Sequence, residues 1–239
     1  MTTLQYLKRY AYYYLYAITL VLVLSLGVSR AATEVSSIQQ QRLRPMVVID
    51  AGHGGMDGGT TSCTGVTESS INLEIALRLN DLMHLMGYNT AMTRSSDVSL
   101  NTQGDTVRAQ KTSDLKNRVQ MVNALENALL LSIHQNHFPQ SQYSGPQVFY
   151  AASGTSQALA ERLQSQLNAC LAPSSNRVCK KADGVYLMEH IDTTGVLVEC
   201  GFLSNPTEEA KLRQPDYQKK LCCVIAATTA AYMEEGAVS

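Results

Sequence analysis

Apolar and polar residues alternate along this chain in short blocks that predict strands and helices in turn. Apolar residues recur at helical spacing over 68–86 and again over 156–171, and Gly87 is placed to end the first of these helices. Short apolar runs predict strands at 46–50, 89–94, 128–133, 147–151, 185–188 and 196–199. Further helices are predicted at 115–125 and 217–233, with a long polar loop at 95–110.

Strands that alternate with helices are typical of a sheet covered by helices on both faces. The pattern therefore predicts an α/β fold: one domain over 45–239, with a mixed, mostly parallel sheet flanked by helices.

The start of the chain has a different pattern. Residues 10–28 contain no charge and follow Lys8 and Arg9, as in an export signal. A cleaved signal and a retained anchor both fit, and the length of the run, near the roughly 20 residues of a spanning helix, favours the anchor. A buried core helix is a third reading. We expect a signal or anchor segment at 1–32, a polar linker at 33–44, and everything after Arg30 outside the cytoplasmic membrane.

Composition and cysteine spacing exclude some classes of function. The 239 residues are 45% hydrophobic with a net charge of −1 and carry no basic stripe, which argues against a nucleic-acid partner. The six cysteines have neither CxxC nor zinc-finger spacing. In an exported protein, Cys170 and Cys179 are the best candidates for a disulfide.

Four residues that can bind a metal or transfer a proton lie where predicted elements begin or end. His53 follows the first strand in a glycine-rich stretch, His134 ends the third strand, Glu199 ends the last strand, and Glu68 opens the first helix of the domain. Each is ordinary alone, but in this topology all four should meet at one sheet edge. Two imidazoles and a carboxylate are a usual catalytic zinc shell, and a second carboxylate can act as general base. The GxGxxG and HExxH patterns are both absent.

The blocks VVIDAGHGGMDGG, GVTESSINLEIALRL, TRSSD, LLLSIHQN and VLVECGFLSNPTE occur in this order. Together they resemble the zinc-dependent N-acetylmuramoyl-L-alanine amidases of peptidoglycan, over about 45–232. The resemblance implies a single α/β domain and hydrolysis of the amide between muramic acid and L-alanine. It also implies Zn²⁺ ligation by His53, Glu68 and His134, with Glu199 as the catalytic base.

A short catalytic domain behind one apolar segment is similar to the germination-specific amidases of spore-forming bacteria. The stretch 113–119 and Cys200 fit that subgroup. This resemblance implies action on spore cortex peptidoglycan before muramic-δ-lactam forms, in an exported, membrane-anchored or secreted protein of the developing spore envelope.

Some residues depart from the family pattern. Glu189 stands where a basic residue is usual, Gly195 where alanine is usual, and His137 is an additional histidine. We expect these changes to affect the substrate rim. We also expect Arg94 and Asp97 to pair with each other, whereas Asn72 could equally orient a ligand or face solvent.

Three alternatives stay open at this point: a zinc peptidase acting on the stem peptide, a catalytically idle wall-binding or activator protein, and an amidase that holds zinc weakly until an activating protein partner docks.

Overall fold

The structure is a computed structural model that describes residues 3–236, with the side chains of 10–30 and 44–235. The chain divides into two compact units, Met1–Arg44 and Pro45–Ser239. The first unit is one helix, α1 (Thr3–Leu43), so the segment predicted as a linker is helical. Its portion Tyr10–Arg30 is long and apolar enough to cross a membrane. The side chains of that portion are exposed, unlike those of a core helix, whereas the side chains of Lys8 and Arg9 lie outside the described residues.

A six-stranded sheet forms the centre of the second unit, in the order β2-β1-β3-β6-β4-β5. The strands are β1 (Met46–Ala51), β2 (Thr90–Met92), β3 (Ala128–Asn136), β4 (Gln147–Tyr150), β5 (Lys180–Lys181) and β6 (Thr194–Phe202). Strands β2, β1, β3 and β6 are mutually parallel, β4 is antiparallel to β6, and β5 is parallel to β4. The predicted α/β class with a mixed, mostly parallel sheet is confirmed.

Helices cover both faces of this sheet. They are α2 (Glu68–Leu85), α3 (Val107–Asn123), α4 (Ser156–Leu171), α5 (Tyr186–His190), α6 (Pro206–Leu212) and α7 (Pro215–Gly236). The larger apolar core lies between one sheet face and α2, α4 and α7. The smaller core lies between the other face and α3 and α5. Successive residues of β1 alternate between the two cores: Val47 and Ile49 face the larger one and Val48 the smaller one.

Several predicted elements differ from the observed ones. The predicted strand at 185–188 is wrong, because that segment enters helix α5 and buries Leu187 and Met188 against the smaller core. A short apolar run does not by itself separate a strand from a buried helical turn. Helix α3 begins earlier than predicted, at Val107, because Thr106 caps it by accepting a hydrogen bond from Ala109 N.

The predicted disulfide is also wrong. Cys170 and Cys179 are both free thiols, and so are the other four cysteines. Helix α6 is capped by Asn205, whose side-chain oxygen accepts hydrogen bonds from Thr207 N and Glu208 N.

The parallel strands bring their carboxyl ends to one edge of the sheet, where His134 and Glu199 are register partners. The amino end of β6 lies at the opposite edge, and Gly195 packs there against Ile191 and Leu130. Glu189 lies in the short helix just before that strand. Because Glu189 and Gly195 lie away from the edge with His134 and Glu199, the expectation that they shape the substrate rim is wrong.

Candidate metal centre

His53 lies in a turn that begins as soon as β1 ends. Its own φ is +60°, in the left-handed region that non-glycine residues seldom adopt. Gly54 and Gly55 also have positive φ, and loop residues Val98 and Ser99 approach their backbone closely enough to exclude a side chain. The glycines therefore let the chain reverse direction tightly around the histidine.

His53, Glu68 and His134 come together at the carboxyl edge, as the sequence predicts for them. Their ligand atoms all lie within 4.8 Å of one another. The His53 Nε2 atom is 3.3 Å from Glu68 Oε2, and the His134 Nδ1 atom is 3.0 Å from Glu68 Oε1. The two imidazole rings meet edge to face with centroids 5.0 Å apart. Two nitrogen donors and one carboxylate at this spacing suit a divalent metal ion.

Hydrogen bonds on its outer side fix the carboxylate of Glu68. Thr60 N donates to Oε2, while Gln135 N and Asn72 Nδ2 donate to Oε1. Burial raises the pKa of Glu68, but hydrogen bonds from His134 and His53 outweigh it and hold the pKa well below its usual range. Asn72 is fully buried, so it orients Glu68 rather than facing solvent.

Asp57 fixes the ring of His53 and was missed by sequence reasoning. Its Oδ2 is 2.9 Å from His53 Nδ1, and its Oδ1 is 2.7 Å from Lys111 Nζ. Burial lowers the pKa of His53, but the hydrogen bonds to Asp57 and Glu68 raise it to about 9. The available signal was an acid four residues beyond a histidine in a glycine-rich turn, where both side chains reach the same space.

Glu199 stands beside His134 in the sheet but is held differently from Glu68. Its Oε2 is buried and has no hydrogen-bond partner among the described residues. Burial raises the pKa of Glu199 to about 7, with the negative charge of Glu68 adding to the increase and the charge of His134 opposing it. A carboxylate without a hydrogen-bond partner, beside three candidate metal donors, is suited to proton transfer.

Two buried arginines lie behind the turn, and the sequence predicted the role of neither. Arg94 binds backbone carbonyls and does not pair with Asp97, so that expectation is wrong. Asp97 Oδ1 accepts from Gly55 N instead. Arg118 donates to the backbone of His53 and lies against Asp50. A lone arginine in a polar helix reads as a surface residue, so no sequence signal indicated its burial.

The other histidines lie outside this cluster. His137 is exposed and is not part of the group of ligand atoms, and His84 and His190 are also exposed.

Comparisons with known proteins indicate the family to which the chain is similar. A family profile described as N-acetylmuramoyl-L-alanine amidase matches residues 47–230. The germination-specific N-acetylmuramoyl-L-alanine amidase of Bacillus subtilis is 35% identical over 192 residues, which are 80% of this chain and 80% of that protein.

Two solved structures share the fold. The CwlD amidase from Clostridioides difficile, determined in complex with the GerS lipoprotein, is 34% identical with a TM-score of 0.76, and the match covers 80% of this chain and 98% of that one. The amidase AmiC2 of Nostoc punctiforme is 26% identical with a TM-score of 0.68, and the match covers 80% of this chain and 97% of that one.

Proposed function

This chain belongs to the N-acetylmuramoyl-L-alanine amidase family, and we propose that it hydrolyses the amide between muramic acid and L-alanine with a zinc ion held by His53, Glu68 and His134. The observation that carries the proposal is the convergence of these three donors beside an unpartnered Glu199 at one sheet edge. Three protein ligands with one open position are the donor set of catalytic zinc sites. Zinc in such a site would polarise the scissile carbonyl and would lower the pKa of a bound water to about 7.

The residues around the donors prepare them for a metal. Asp57 accepts the hydrogen bond from His53 Nδ1, which leaves the Nε2 lone pair for the ion. The hydrogen bonds from Thr60 and Asn72 hold both Glu68 oxygens in place. These contacts favour zinc because they fix imidazole and carboxylate orientation before the ion arrives.

Glu199 is the general base and then the general acid. Its carboxylate takes a proton from the attacking water and later delivers it to the nitrogen of the leaving L-alanine. A pKa of about 7, which follows from its burial, suits both steps because the group can hold or release a proton near neutral pH.

The substrate we propose is spore cortex peptidoglycan, in a protein that acts in germination. Support comes from the name of the Bacillus subtilis relative, which is germination-specific. The Clostridioides difficile structure includes a lipoprotein partner, and we extend to this chain the proposal of an activating protein partner.

Product analysis tests the activity. The full-length chain, purified in mild detergent and supplied with zinc, is incubated with cortex and with vegetative peptidoglycan, and released fragments are identified by mass spectrometry. We expect stem peptides that begin with a free L-alanine amine, released faster from cortex and lost when a chelator removes the metal. A stem-peptide peptidase would instead release fragments cut within the peptide. No release from either wall, with zinc bound and the proposed protein partner supplied, would overturn the proposed reaction.

We further propose that 1–32 anchors the protein, that 33–44 connects the anchor to the domain, and that the catalytic domain at 45–239 lies outside the cytoplasmic membrane. The exposed apolar span Tyr10–Arg30 supports this division. The measurement is alkaline extraction of membranes combined with the intact mass of the protein. We expect the full-length mass in the membrane fraction, and a shorter, soluble chain beginning near residue 33 would show a cleaved signal instead.

A further inference from the structure

Three consecutive backbone carbonyls at the end of β1 accept hydrogen bonds from two buried arginines. Arg94 donates from Nε to Ala51 O at 2.8 Å and from Nη2 to Gly52 O at 2.9 Å. Arg118 donates from Nη1 to Ala51 O at 2.9 Å and from Nη2 to His53 O at 2.7 Å. We call these two side chains, with the three carbonyls they bind, the carbonyl clamp.

The backbone at 51–53 adopts a conformation that requires stabilising contacts. The chain leaves the sheet after Ala51 and turns at His53 with a φ of +60°, a conformation that costs a non-glycine residue about 1 kcal/mol or more. The carbonyl of His53 accepts its hydrogen bond from Arg118, and a buried carbonyl without a donor is destabilising. The guanidinium forks supply charge-assisted donors in a fixed plane, which holds the carbonyls at defined angles.

The clamp also ties the turn to the elements that carry the other donors. Nη2 of Arg94 donates to Ser69 O at 2.9 Å, in the first turn of α2, directly after Glu68. Asp50, which binds Arg118, accepts from Ser132 Oγ at 2.7 Å, and Ser132 precedes His134 by two residues in β3. The segments that carry all three candidate ligands are therefore connected through the two arginines.

Arg118 is itself held on a polar stripe of α3. Its Nε is 2.6 Å from Asp114 Oδ2, and Asp114 accepts from Leu100 N at 2.6 Å. Both arginines are almost fully buried, at 3% exposure for Arg94 and 2% for Arg118. Burying two like charges side by side is unfavourable, and the four hydrogen bonds that each guanidinium donates offset this cost.

We propose that Arg94 and Arg118 are positioning residues of the metal centre, which hold the backbone of 51–53 so that the His53 imidazole faces Glu68 and His134. The inference rests on the proposed function, because it requires His53 to bind the ion. It goes beyond that function by assigning the geometry of the centre to two residues that touch neither metal nor substrate.

The test replaces each arginine by lysine in the full-length chain, which keeps the charge but removes the planar fork. Zinc affinity is measured by competition with a chelator of known affinity, on protein shown to be folded by circular dichroism. Hydrogen exchange of the metal-free protein is followed in peptides that cover 46–59. Arg78→Lys is the matched control, because Arg78 is a half-buried arginine of α2 that donates to the Gln218 side chain, away from the turn.

We expect Arg94→Lys and Arg118→Lys each to weaken zinc binding by about 10–100-fold, as is typical when partners of metal ligands are lost. Exchange across 46–59 should become faster in the metal-free variants, and Arg78→Lys should change neither quantity. Arg94 has no carboxylate within ion-pair distance among the described residues. Its replacement therefore stays informative if Arg118→Lys fails to fold because one ammonium replaces the fork that binds both Asp50 and Asp114.

A lower melting temperature with unchanged zinc affinity and unchanged exchange would overturn the inference and leave the arginines a purely structural role. If the unaltered protein binds no zinc, the proposed function fails separately. The exchange of the metal-free protein then still decides the clamp: faster exchange in the lysine variants supports it, and equal exchange overturns it.

Discussion

The imidazole of His53 is fixed at its ring and at its backbone by different parts of the molecule. Asp57 binds its Nδ1 atom, Glu68 lies against its Nε2 atom, and Arg118 binds its carbonyl oxygen. Because these three contacts restrict the side chain, its imidazole is already oriented before a metal ion binds. Binding would therefore not require the imidazole to lose further conformational freedom. Glu199 differs at the same scale because one of its oxygens has no partner.

This difference predicts the result of replacing Glu199 by glutamine. The amide keeps the shape of the side chain but does not accept a proton, so we expect the hydrolysis rate to fall by about 10²–10⁴-fold. Zinc content should stay at the level of the unaltered protein, because Glu199 is not one of the three converging donors. The measurement combines the rate of L-alanine amine release with metal analysis.

Glu189→Gln serves as the control, because this exposed residue lies beyond the opposite end of β6. A normal rate in Glu199→Gln would show that another group is the base. Loss of zinc in that variant would instead place Glu199 among the ligands.

At the scale of elements, the site depends on where the loop after β1 allows the start of α2 to lie. Gly59 has a φ of +67°, and a Cβ there would stand 2.6 Å from Glu68 Oε2 and 2.7 Å from His53 Cδ2. Gly65 lies in the same loop with a φ of +88°, and a Cβ there would meet nothing within 4 Å. The two glycines share the backbone requirement, but only Gly59 lies against the donors.

Gly59→Ala and Gly65→Ala therefore form a matched pair. Both should lower the free energy of unfolding by about 1–3 kcal/mol, because alanine is strained at positive φ. Only Gly59→Ala should weaken zinc binding, since its methyl group displaces the carboxylate of Glu68. Chelator competition and thermal unfolding measure the two effects, and equal zinc affinity in both variants would show that Glu68 is not needed at its observed position.

At the scale of the whole molecule, one buried carboxylate links strands, helix and loop. Asp50 accepts from Thr93 Oγ1 and Ser132 Oγ, and its ion pair with Arg118 joins β1 to α3. Burial raises the pKa of Asp50, but the charge of Arg118 and the hydrogen bond from Ser132 lower it to about 2. Protonating this group therefore loosens contacts between several elements at once.

The pKa of Asp50 sets how stability should depend on pH. Because the folded pKa lies below the unfolded value of 3.8, the contribution is present above about pH 4 and is lost as the pH falls toward 2. The difference corresponds to about 2 kcal/mol. Unfolding of the full-length chain in detergent, followed from pH 7 to pH 2, measures it.

Asp50→Asn should be less stable than the unaltered protein at pH 7, and the gap between them should narrow below pH 4. The exposed Asp183 offers a control, and Asp183→Asn should follow the unaltered protein throughout. A gap that stays constant down to pH 2 would show that Asp50 does not contribute through its charge.

The sequence by itself determined the class of the fold and the four residues at the carboxyl edge. Hydrophobic periodicity is local, so it identified the helix at α4 and the strands that lead to His53, His134 and Glu199. Parallel strands end at the same edge, so residues at strand ends could be grouped before any contact was known. The order of the motif blocks then indicated the family.

Only the tertiary structure decided how those residues are held. Arg118 lies 65 residues from His53 along the chain, and Arg94 lies 42 residues from Gly52, so no spacing indicated that they bind the same turn. Tertiary packing also decided that the segment at α5 is a helix, because a short apolar run does not distinguish a strand from a helical turn. Likewise, the positions of Cys170 and Cys179 in the sequence do not show that both thiols are free. Local patterns specify which face a residue takes, whereas partners distant in sequence are selected only when the folded chain brings their charges and carbonyls into one buried space.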